Sequence, residues 1–249
     1  MNMNTNTCFD TVASMNSQAV MNLSRGKHVK AVKILQQALL AVKETFDAMT
    51  SSGWTPEDDM MIMDDFTKTT MMYKDVSVNV ASVPAVLDYD GELDKHSLGT
   101  FAFCNRMFVW SSLTGQICQD LPLMTMLAMY NIGSIRHLVG LNKGSATEIR
   151  KAIHMYELAL STMDNIVKDP RWDDIVLRVC CCAVNNLGHA YECLRDTQKS
   201  SWCLGRLHEV MFENVFAVQN TLMHDDDFEF FLQYVGLNPS LAFNTATAA

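Results

Sequence analysis

The sequence predicts an all-α fold: an α-solenoid of about three helical hairpins, with an irregular insertion after the first hairpin. Three observations support this prediction. Apolar residues recur every three or four positions over long stretches, which is the spacing of amphipathic helices. The 249 residues include only 5 Pro and 11 Gly, so long helices can run without interruption. Turn and capping residues divide these stretches into pairs of helices.

The first hairpin is predicted over residues 9–50. Its second helix has the clearer pattern, with steps of 3, 3, 4, 3, 4 and 3 between the apolar residues Val29, Val32, Leu35, Leu39, Val42, Phe46 and Met49. Gly26 precedes this helix and suits a turn. Residues 1–8 are mostly Asn and Thr, and we expect them to be a disordered N-terminus.

Residues 51–115 are predicted to form an irregular, acidic insertion. Ten acidic residues and only two lysines lie between Glu57 and Asp94, so this stretch carries −8 of the net charge of −9. A solvated loop is the simplest interpretation of such a charge run. A docking surface for a basic partner is the alternative.

Two short stretches inside the insertion show the alternation of a β-strand. Val76, Val78 and Val80 alternate with polar residues. Phe101 and Phe103 alternate in the same way, and an aromatic, apolar run follows them. Since a period of two places one set of side chains on a single face of a strand, the insertion is predicted to have room for a small antiparallel β pair.

The second and third hairpins are predicted over residues 116–221. The Ser145-Ala-Thr-Glu148 string is a capping-box pattern that starts the second helix of this stretch. Asp169-Pro170 separates the two hairpins, because Pro cannot continue a helix but suits its first turn. The periodic pattern ends near residue 221, and we expect residues 222–249 to form an extended C-terminal tail.

A repeated pattern of small and large residues links the three hairpins. In each second helix, a small residue is followed four and then three positions later by residues that pack between helices: Ala31, Leu35 and Ala38; Ala152, Tyr156 and Ala159; Ser200, Leu204 and Leu207. Two of the first helices share Asn131-Ile132-Gly133 and Asn186-Leu187-Gly188. Small residues let helices approach closely, so the pattern predicts three similar units.

The third unit resembles the tetratricopeptide repeat family, in which a Leu-Gly pair is followed by an aromatic residue and then by small residues. Leu187-Gly188 matches the pair, Tyr191 the aromatic residue, and Ser200 the small residue twelve positions after the Gly. The likeness covers about residues 10–50 and 121–221. The resemblance implies a helical repeat protein that binds other proteins.

The second unit departs from the pattern of this family. Ala152 lies nineteen residues after Gly133, against twelve in the third unit, and we interpret the difference as a longer turn. Gly133 and Gly188 are 55 residues apart, whereas the family's period is about 34 residues. The chain is therefore interpreted as a divergent, tetratricopeptide-like protein.

Asn131 and Asn186 are the candidate peptide-binding residues, each two positions before the Gly of its unit. The resemblance implies that first helices line a concave groove, where Asn binds a peptide backbone. An amide donates and accepts at once, so it suits an extended backbone whatever its side chains. The alternative is an Asn that bonds a neighbouring helix. The first unit lacks an equivalent Asn, because it has Ser17 at this position, with Asn16 beside it.

No catalytic, cofactor-binding or metal-binding residue is predicted. The sequence has no phosphate-binding, dinucleotide-binding, zinc-protease or nucleophile-elbow motif. Eight cysteines without a secretion signal indicate reduced thiols that pack as small apolar residues. His189 and Cys193 lie four residues apart on one helix, but this spacing alone matches no known metal site, and we interpret both as packing residues.

These features predict a non-catalytic protein-interaction module that binds a peptide or partner protein, with a basic partner as one option. One alternative is a structural subunit whose groove is filled by its own insertion or tail, and another is a Cys/His metal or redox protein. The net charge of −9 disfavours nucleic acid as a partner. No membrane-spanning stretch is predicted. We expect a cytoplasmic protein without a cofactor, and the oligomeric state stays open.

Overall fold

The computed structural model describes residues 5–50, 79–84, 100–111, 121–166 and 174–215. Within them lie six helices and two short strands: α1 (Thr5–Ser24), α2 (His28–Thr50), β1 (Asn79–Pro84), β2 (Arg106–Ser111), α3 (Leu121–Lys143), α4 (Ala146–Ile166), α5 (Asp174–Cys193) and α6 (Thr197–Val215). The prediction of a mainly helical chain is confirmed for these residues. No helix among them combines the length and the apolar character needed to cross a membrane.

Several predicted features lie outside the described residues. They are residues 1–4 of the N-terminus, 57–78 and 85–94 of the acidic stretch, 216–221 of the last helix and the tail over 222–249. Residues 5–8, which we expected to be disordered, instead form the start of α1. Their Asn- and Thr-rich composition was misleading, because adding a turn to an already nucleated helix requires little free energy.

The six helices form three hairpins, α1–α2, α3–α4 and α5–α6, and the same type of turn closes each of them. One residue of each turn has a positive φ, between 59° and 70°: Gly26, Gly144 and Arg195. The following backbone N–H donates to the carbonyl five residues earlier, at 2.8, 2.8 and 2.9 Å. This left-handed helix ending satisfies carbonyls that the helix leaves free. The prediction of a longer turn in the second hairpin is therefore wrong.

The additional residues of the second hairpin lie in its helices. Gly133 lies eleven residues before the positive-φ residue of its turn, whereas Gly188 lies seven before that of the third hairpin. On the other side of the turn, Ala152 and Ser200 follow at eight and five residues. The differences of four and three residues each correspond to about one helical turn of 3.6 residues. Both helices are thus about one turn longer between these positions and the connection, while the same faces meet.

The small-and-large pattern of the second helices marks buried positions, since all nine of its residues are buried. The two glycines that share this pattern on the first helices make room for different neighbours. A Cβ atom at Gly133 would lie 2.7 Å from the ring of Tyr156 on the partner helix α4. At Gly188, a Cβ atom would instead lie 2.5 Å from the ring of Phe101, which belongs to the insertion. The sequence pattern treats them as equivalent, but their packing differs.

The predicted capping box at the start of α4 is present in one half. The hydroxyl of Ser145 accepts the backbone N–H of Glu148 at 3.4 Å. The Glu148 carboxylate accepts from Lys151 at 2.6 Å and from Arg136 on α3 at 2.9 Å, while the Ser145 N–H donates to Gly140 in the turn. Lys151 and Arg136 hold the pKa of Glu148 below its usual value. The carboxylate therefore ties α4 to α3 instead of closing the box.

Successive hairpins pack through neighbouring helices, α2 against α3 and α4 against α5. The first helices contact each other in the order α1, α3, α5, and the face that they share is called the groove below. β1 and β2 pair antiparallel, with Asn79 opposite Ser111 and Pro84 opposite Arg106. Of the residues whose alternation predicted strands, Val76 and Val78 lie outside the described residues, and Phe101 and Phe103 precede β2 in a stretch without regular structure. β2 packs on α1 and α3, so the end of the insertion belongs to the helical body.

Candidate functional site: a filled groove and a histidine–cysteine cluster

The groove is occupied by residues 100–111 of the same chain, here called the groove segment. The segment enters without regular structure and ends in β2. Side chains from all three first helices hold its backbone: Asn16 on α1, Tyr130 and Asn131 on α3, and Asn185, Asn186 and Glu192 on α5. This part of the predicted irregular insertion, which follows the acidic stretch, belongs to the core.

Asn131 and Asn186 make matching contacts with the segment. Asn186 accepts the backbone N–H of Cys104 through Oδ1 at 2.7 Å and donates to its carbonyl through Nδ2 at 3.1 Å. Asn131 accepts the N–H of Phe108 at 3.0 Å and donates to its carbonyl at 2.8 Å. Each amide therefore satisfies both backbone groups of one residue, and the two residues lie four positions apart.

The backbone that these amides hold belongs to the chain itself and not to a separate peptide. Both side chains are 0% exposed, whereas an open groove would leave them at least partly exposed to solvent. The groove segment covers them, which is the physical reason for the difference. The alternative of a bond to a neighbouring helix also applies to both amides: Asn131 Nδ2 donates to Asn16 Oδ1 on α1 at 2.9 Å, and Asn186 Nδ2 donates to the Tyr130 hydroxyl on α3 at 3.3 Å.

Two further side chains of α5 hold the beginning of the segment. The carboxylate of Glu192 accepts the N–H of Thr100 at 2.7 Å and that of Phe101 at 3.3 Å. Asn185 donates through Nδ2 to the carbonyl of Ala102 at 2.7 Å. Three consecutive backbone positions are thus bonded to one face of α5.

Tyr130 and Asn16 hold the end of the segment. The Tyr130 hydroxyl donates to the carbonyl of Arg106 at 3.2 Å, and Asn16 donates to the carbonyl of Phe108 at 2.8 Å. Burial raises the pKa of Tyr130 well above its usual value, so the hydroxyl keeps its proton and remains a donor. The Phe108 carbonyl has two amide donors, Asn16 on α1 and Asn131 on α3.

The helices contact the backbone of every second residue between 102 and 108. The N–H and C=O groups of successive residues in an extended chain point to opposite sides. In β2, the edge that carries the backbone groups of Phe108 therefore faces the helices, and the other edge is left for β1. Before β2 the chain bends, because the Arg106 N–H donates to the Cys104 carbonyl at 2.9 Å. Pro84 of β1, which has no N–H, stands opposite Arg106, whose carbonyl turns towards Tyr130.

The large apolar side chains of the segment are buried. Those of Phe101, Phe103, Met107, Phe108 and Trp110 are at most 3% exposed. The ring of Phe101 lies directly against Gly188, where any side chain would collide with it. Phe108 meets the ring of Tyr130 edge-on, with centroids 5.2 Å apart. The segment therefore contributes both backbone bonds and apolar packing to the core.

A second cluster of polar side chains lies beside the segment, between α3 and α5. Nδ1 of His189 is 3.0 Å from Nε2 of His137 and 3.8 Å from Sγ of Cys193. The three side-chain atoms all lie within 4.8 Å of one another. Nδ1 of His137 faces the hydroxyl of Tyr156 at 3.3 Å, and Phe103 packs edge-on against His137 with centroids 4.8 Å apart. Both histidines are buried, and Cys193 is exposed.

The other described thiols are buried packing groups, as the sequence indicated: Cys104, Cys180, Cys181, Cys182 and Cys203. Burial raises the pKa of Cys181 well above its usual value. Burial, together with the charges of Glu157 and Asp196, raises the pKa of Cys203 to about 12. Thiols that remain protonated are poor nucleophiles. Cys193 differs from these five cysteines in its access to solvent.

Sequence reasoning identified two of the six side chains that hold the segment and missed Asn185, Glu192 and Tyr130. Asn16 was noted as a neighbour of the expected position. A run of two Asn residues on a strongly apolar helix was an available signal for Asn185, because buried amides need partners. Nothing in the local sequence connects His137 with His189, since they lie on different hairpins.

Comparison with known proteins gives no relative for this arrangement. The chain matches no known protein family, and no match is found among characterised proteins or among solved structures.

Proposed function

We propose that this chain is a non-catalytic, tetratricopeptide-like solenoid whose groove is filled by its own insertion, and that it acts as a structural subunit in protein assemblies. The observation that carries this proposal is the pair of amide contacts from Asn131 and Asn186 to Phe108 and Cys104. These contacts have the geometry expected for amides that hold a bound peptide, but the backbone that they hold is a segment of the same chain. The self-filled subunit accounts for them better than an open peptide-binding module does.

The burial of the groove segment supports this choice. Burial of a large apolar side chain contributes about 1.5–3 kcal/mol, and five such side chains of the segment are buried. A partner peptide that displaced the segment would have to replace this packing and also the backbone bonds to three helices. Access of a partner to the groove would therefore carry a large free-energy penalty.

Three features support the solenoid part of the proposal. The same left-handed turn closes all three hairpins. The small-and-large pattern of the second helices is buried in each unit. The first helices adjoin in the order of the chain, as they do when repeats stack on their neighbours.

With the groove occupied, we propose that partners dock elsewhere, and that the acidic stretch between Glu57 and Asp94 binds a basic partner. Exposed charges are screened over about 8–10 Å near physiological salt. Affinity for a basic partner should therefore fall steeply as salt rises from low to high concentration. An affinity that does not change with salt would contradict this part of the proposal.

A test of the self-filled groove is to replace residues 100–111 of the full chain by a Gly/Ser linker of the same length. We expect a large drop in the melting temperature, because the amides and the apolar walls of the groove lose their partners. A synthetic peptide with the sequence of residues 100–111, added in trans, should restore the melting temperature. The matched control is the same peptide with Phe101, Phe103 and Phe108 replaced by Ser, which should not restore it.

The wild-type chain provides the second half of this experiment. Because its groove is filled, it should not bind the labelled wild-type peptide at concentrations that rescue the linker variant. A linker variant that melts at the wild-type temperature, or a wild-type chain that binds the peptide equally well, would favour the open peptide-binding module.

A further inference from the structure

The geometry points to a metal site: we infer that His137, His189 and Cys193 bind one late first-row cation of the Zn²⁺ type. The three residues come from two hairpins, since His137 lies on α3 and the other two lie on α5. The inference does not depend on the proposed function, because it concerns a cluster beside the groove segment and not the amides that hold it.

The separation of the donor atoms suits a single ion. Zn²⁺ binds imidazole nitrogen at about 2.0–2.1 Å and thiolate sulfur at about 2.3 Å in tetrahedral geometry, which places nitrogen atoms about 3.3 Å apart and nitrogen and sulfur about 3.6 Å apart. The observed values are 3.0 Å between the two histidine nitrogens and 3.8 Å between His189 Nδ1 and Cys193 Sγ. All three atoms lie within 4.8 Å of one another.

The surroundings orient one of the two imidazoles as a ligand. Nδ1 of His137 faces the Tyr156 hydroxyl at 3.3 Å, and that hydroxyl donates in turn to Ser134 at 3.5 Å. The Tyr156 hydroxyl has one proton, which it donates to Ser134, so its oxygen accepts from Nδ1 of His137. His137 then carries its proton on Nδ1, which leaves the lone pair of Nε2 directed at His189. A hydrogen-bonded second nitrogen is the usual arrangement of a metal-binding histidine.

The cluster also has the spacing, the chemistry and the access that a metal site needs. His189 and Cys193 are four residues apart on α5, so they lie on one face, one helical turn apart. Two imidazoles and a thiol select late transition ions over Mg²⁺ and Ca²⁺, which prefer oxygen ligands. Phe103 closes one side of the cluster, while the exposed Cys193 gives an entry path and room for water as a fourth ligand.

The competing interpretation is a plain hydrogen bond between the imidazoles, with His189 donating to His137 and no role for the thiol. The two interpretations differ at Cys193. Because this residue is exposed, Cys193→Ser should leave the fold intact, and it removes only the sulfur ligand. The matched control is His154→Gln, which removes an exposed histidine of α4 that lies outside the cluster.

The experiment uses the full chain, reduced and freed of metal with a chelator. We expect it to bind one Zn²⁺ per chain, to be protected from thermal unfolding by Zn²⁺, and to give with Co²⁺ the visible bands of tetrahedral coordination and a thiolate charge-transfer band. Loss of second-shell groups lowers metal affinity about 10–100-fold, so loss of the ligand in Cys193→Ser should lower it at least 100-fold and abolish the charge-transfer band. His154→Gln should bind as the wild type does.

Two results would overturn the inference. One is the absence of stoichiometric Zn²⁺ binding to the folded wild-type chain. The other is equal affinity in the wild type and Cys193→Ser, which would leave the hydrogen bond between imidazoles as the correct account. Tyr156→Phe adds a further test: it keeps the ring but removes the hydroxyl that orients His137, and we expect a 10–100-fold loss of affinity. Failure of the peptide-rescue experiment would not affect any of these outcomes.

Discussion

The two halves of the groove segment are held by different kinds of hydrogen-bond contact. Residues 106–111 form a strand that lies between β1 on one edge and amide and hydroxyl groups of α1 and α3 on the other. Residues 100–105 have no strand partner among the described residues, and side chains of α5 hold their backbone at four positions. The comparison teaches that side chains on one face of a helix can take the place of a missing strand.

The largest losses of stability are expected when the two amides that anchor these halves are replaced by Ala. In Asn186→Ala, the Cys104 N–H loses its acceptor, whereas the Cys104 carbonyl keeps the Arg106 N–H as a donor at 2.9 Å. A buried polar group left unpaired costs about 1–3 kcal/mol, so the free energy of unfolding should fall by about 1–3 kcal/mol. In Asn131→Ala, the Phe108 carbonyl keeps Asn16 as a donor, but the Phe108 N–H and the buried Oδ1 of Asn16 both lose their partner, so the loss should be about 2–6 kcal/mol.

Denaturant unfolding of both variants measures this difference, with Asn142→Ala, at an exposed position of α3, as the control. Equal losses for Asn186→Ala and Asn131→Ala would contradict the additional role of Asn131 as the partner of Asn16 on α1. Losses as small as that of the control would show that the amides do not hold the segment.

The next effect concerns the place where Phe101 lies against α5. In Gly188→Ala the new Cβ atom would lie 2.5 Å from the Phe101 ring, and overpacking of this kind costs about 1–3 kcal/mol. Gly205→Ala on α6 is the matched control, because no atom lies within 4 Å of a Cβ there. Alanine in an exposed helix is favoured over Gly, so the control should gain about 0.5–1 kcal/mol. Thermal unfolding of the pair checks the opposite signs, and a Gly188→Ala chain as stable as its control would contradict the packing.

The smallest effect is expected at Tyr130, in the half that β1 also supports. Tyr130→Phe removes the hydrogen bond to the Arg106 carbonyl and the one from Asn186 Nδ2, which keeps the Cys104 carbonyl as an acceptor, and it retains the ring that packs on Phe108. A typical intramolecular hydrogen bond contributes about 0.5–1.5 kcal/mol, and we expect a loss of that size in denaturant unfolding. A loss as large as that of Asn186→Ala would mean that the strand contributes little to this half.

The sequence was sufficient for features that depend on local spacing. Apolar periodicity located the six described helices to within a few residues, and the position of Asn131 and Asn186 beside their glycines marked them as backbone-holding side chains. The sequence did not predict which backbone these amides bind, because Cys104 and Asn186 lie 82 residues apart. The contact between His137 and His189 was not predicted for the same reason, since the pattern of residues within one helix does not identify a contact with a residue 52 positions away.

The position of the groove segment in the chain has a consequence for folding. In an open repeat array each unit contacts only its neighbours, so folding can start anywhere and the ends can unravel separately. Here residues 100–104 precede the second hairpin but are bonded to the third, so they have no place to bind until α5 has formed. During synthesis, Phe101 and Phe103 leave the ribosome long before their partners on α5. The chain must therefore keep two aromatic side chains out of wrong contacts until its third hairpin arrives, and once they bind, all three hairpins should unfold together.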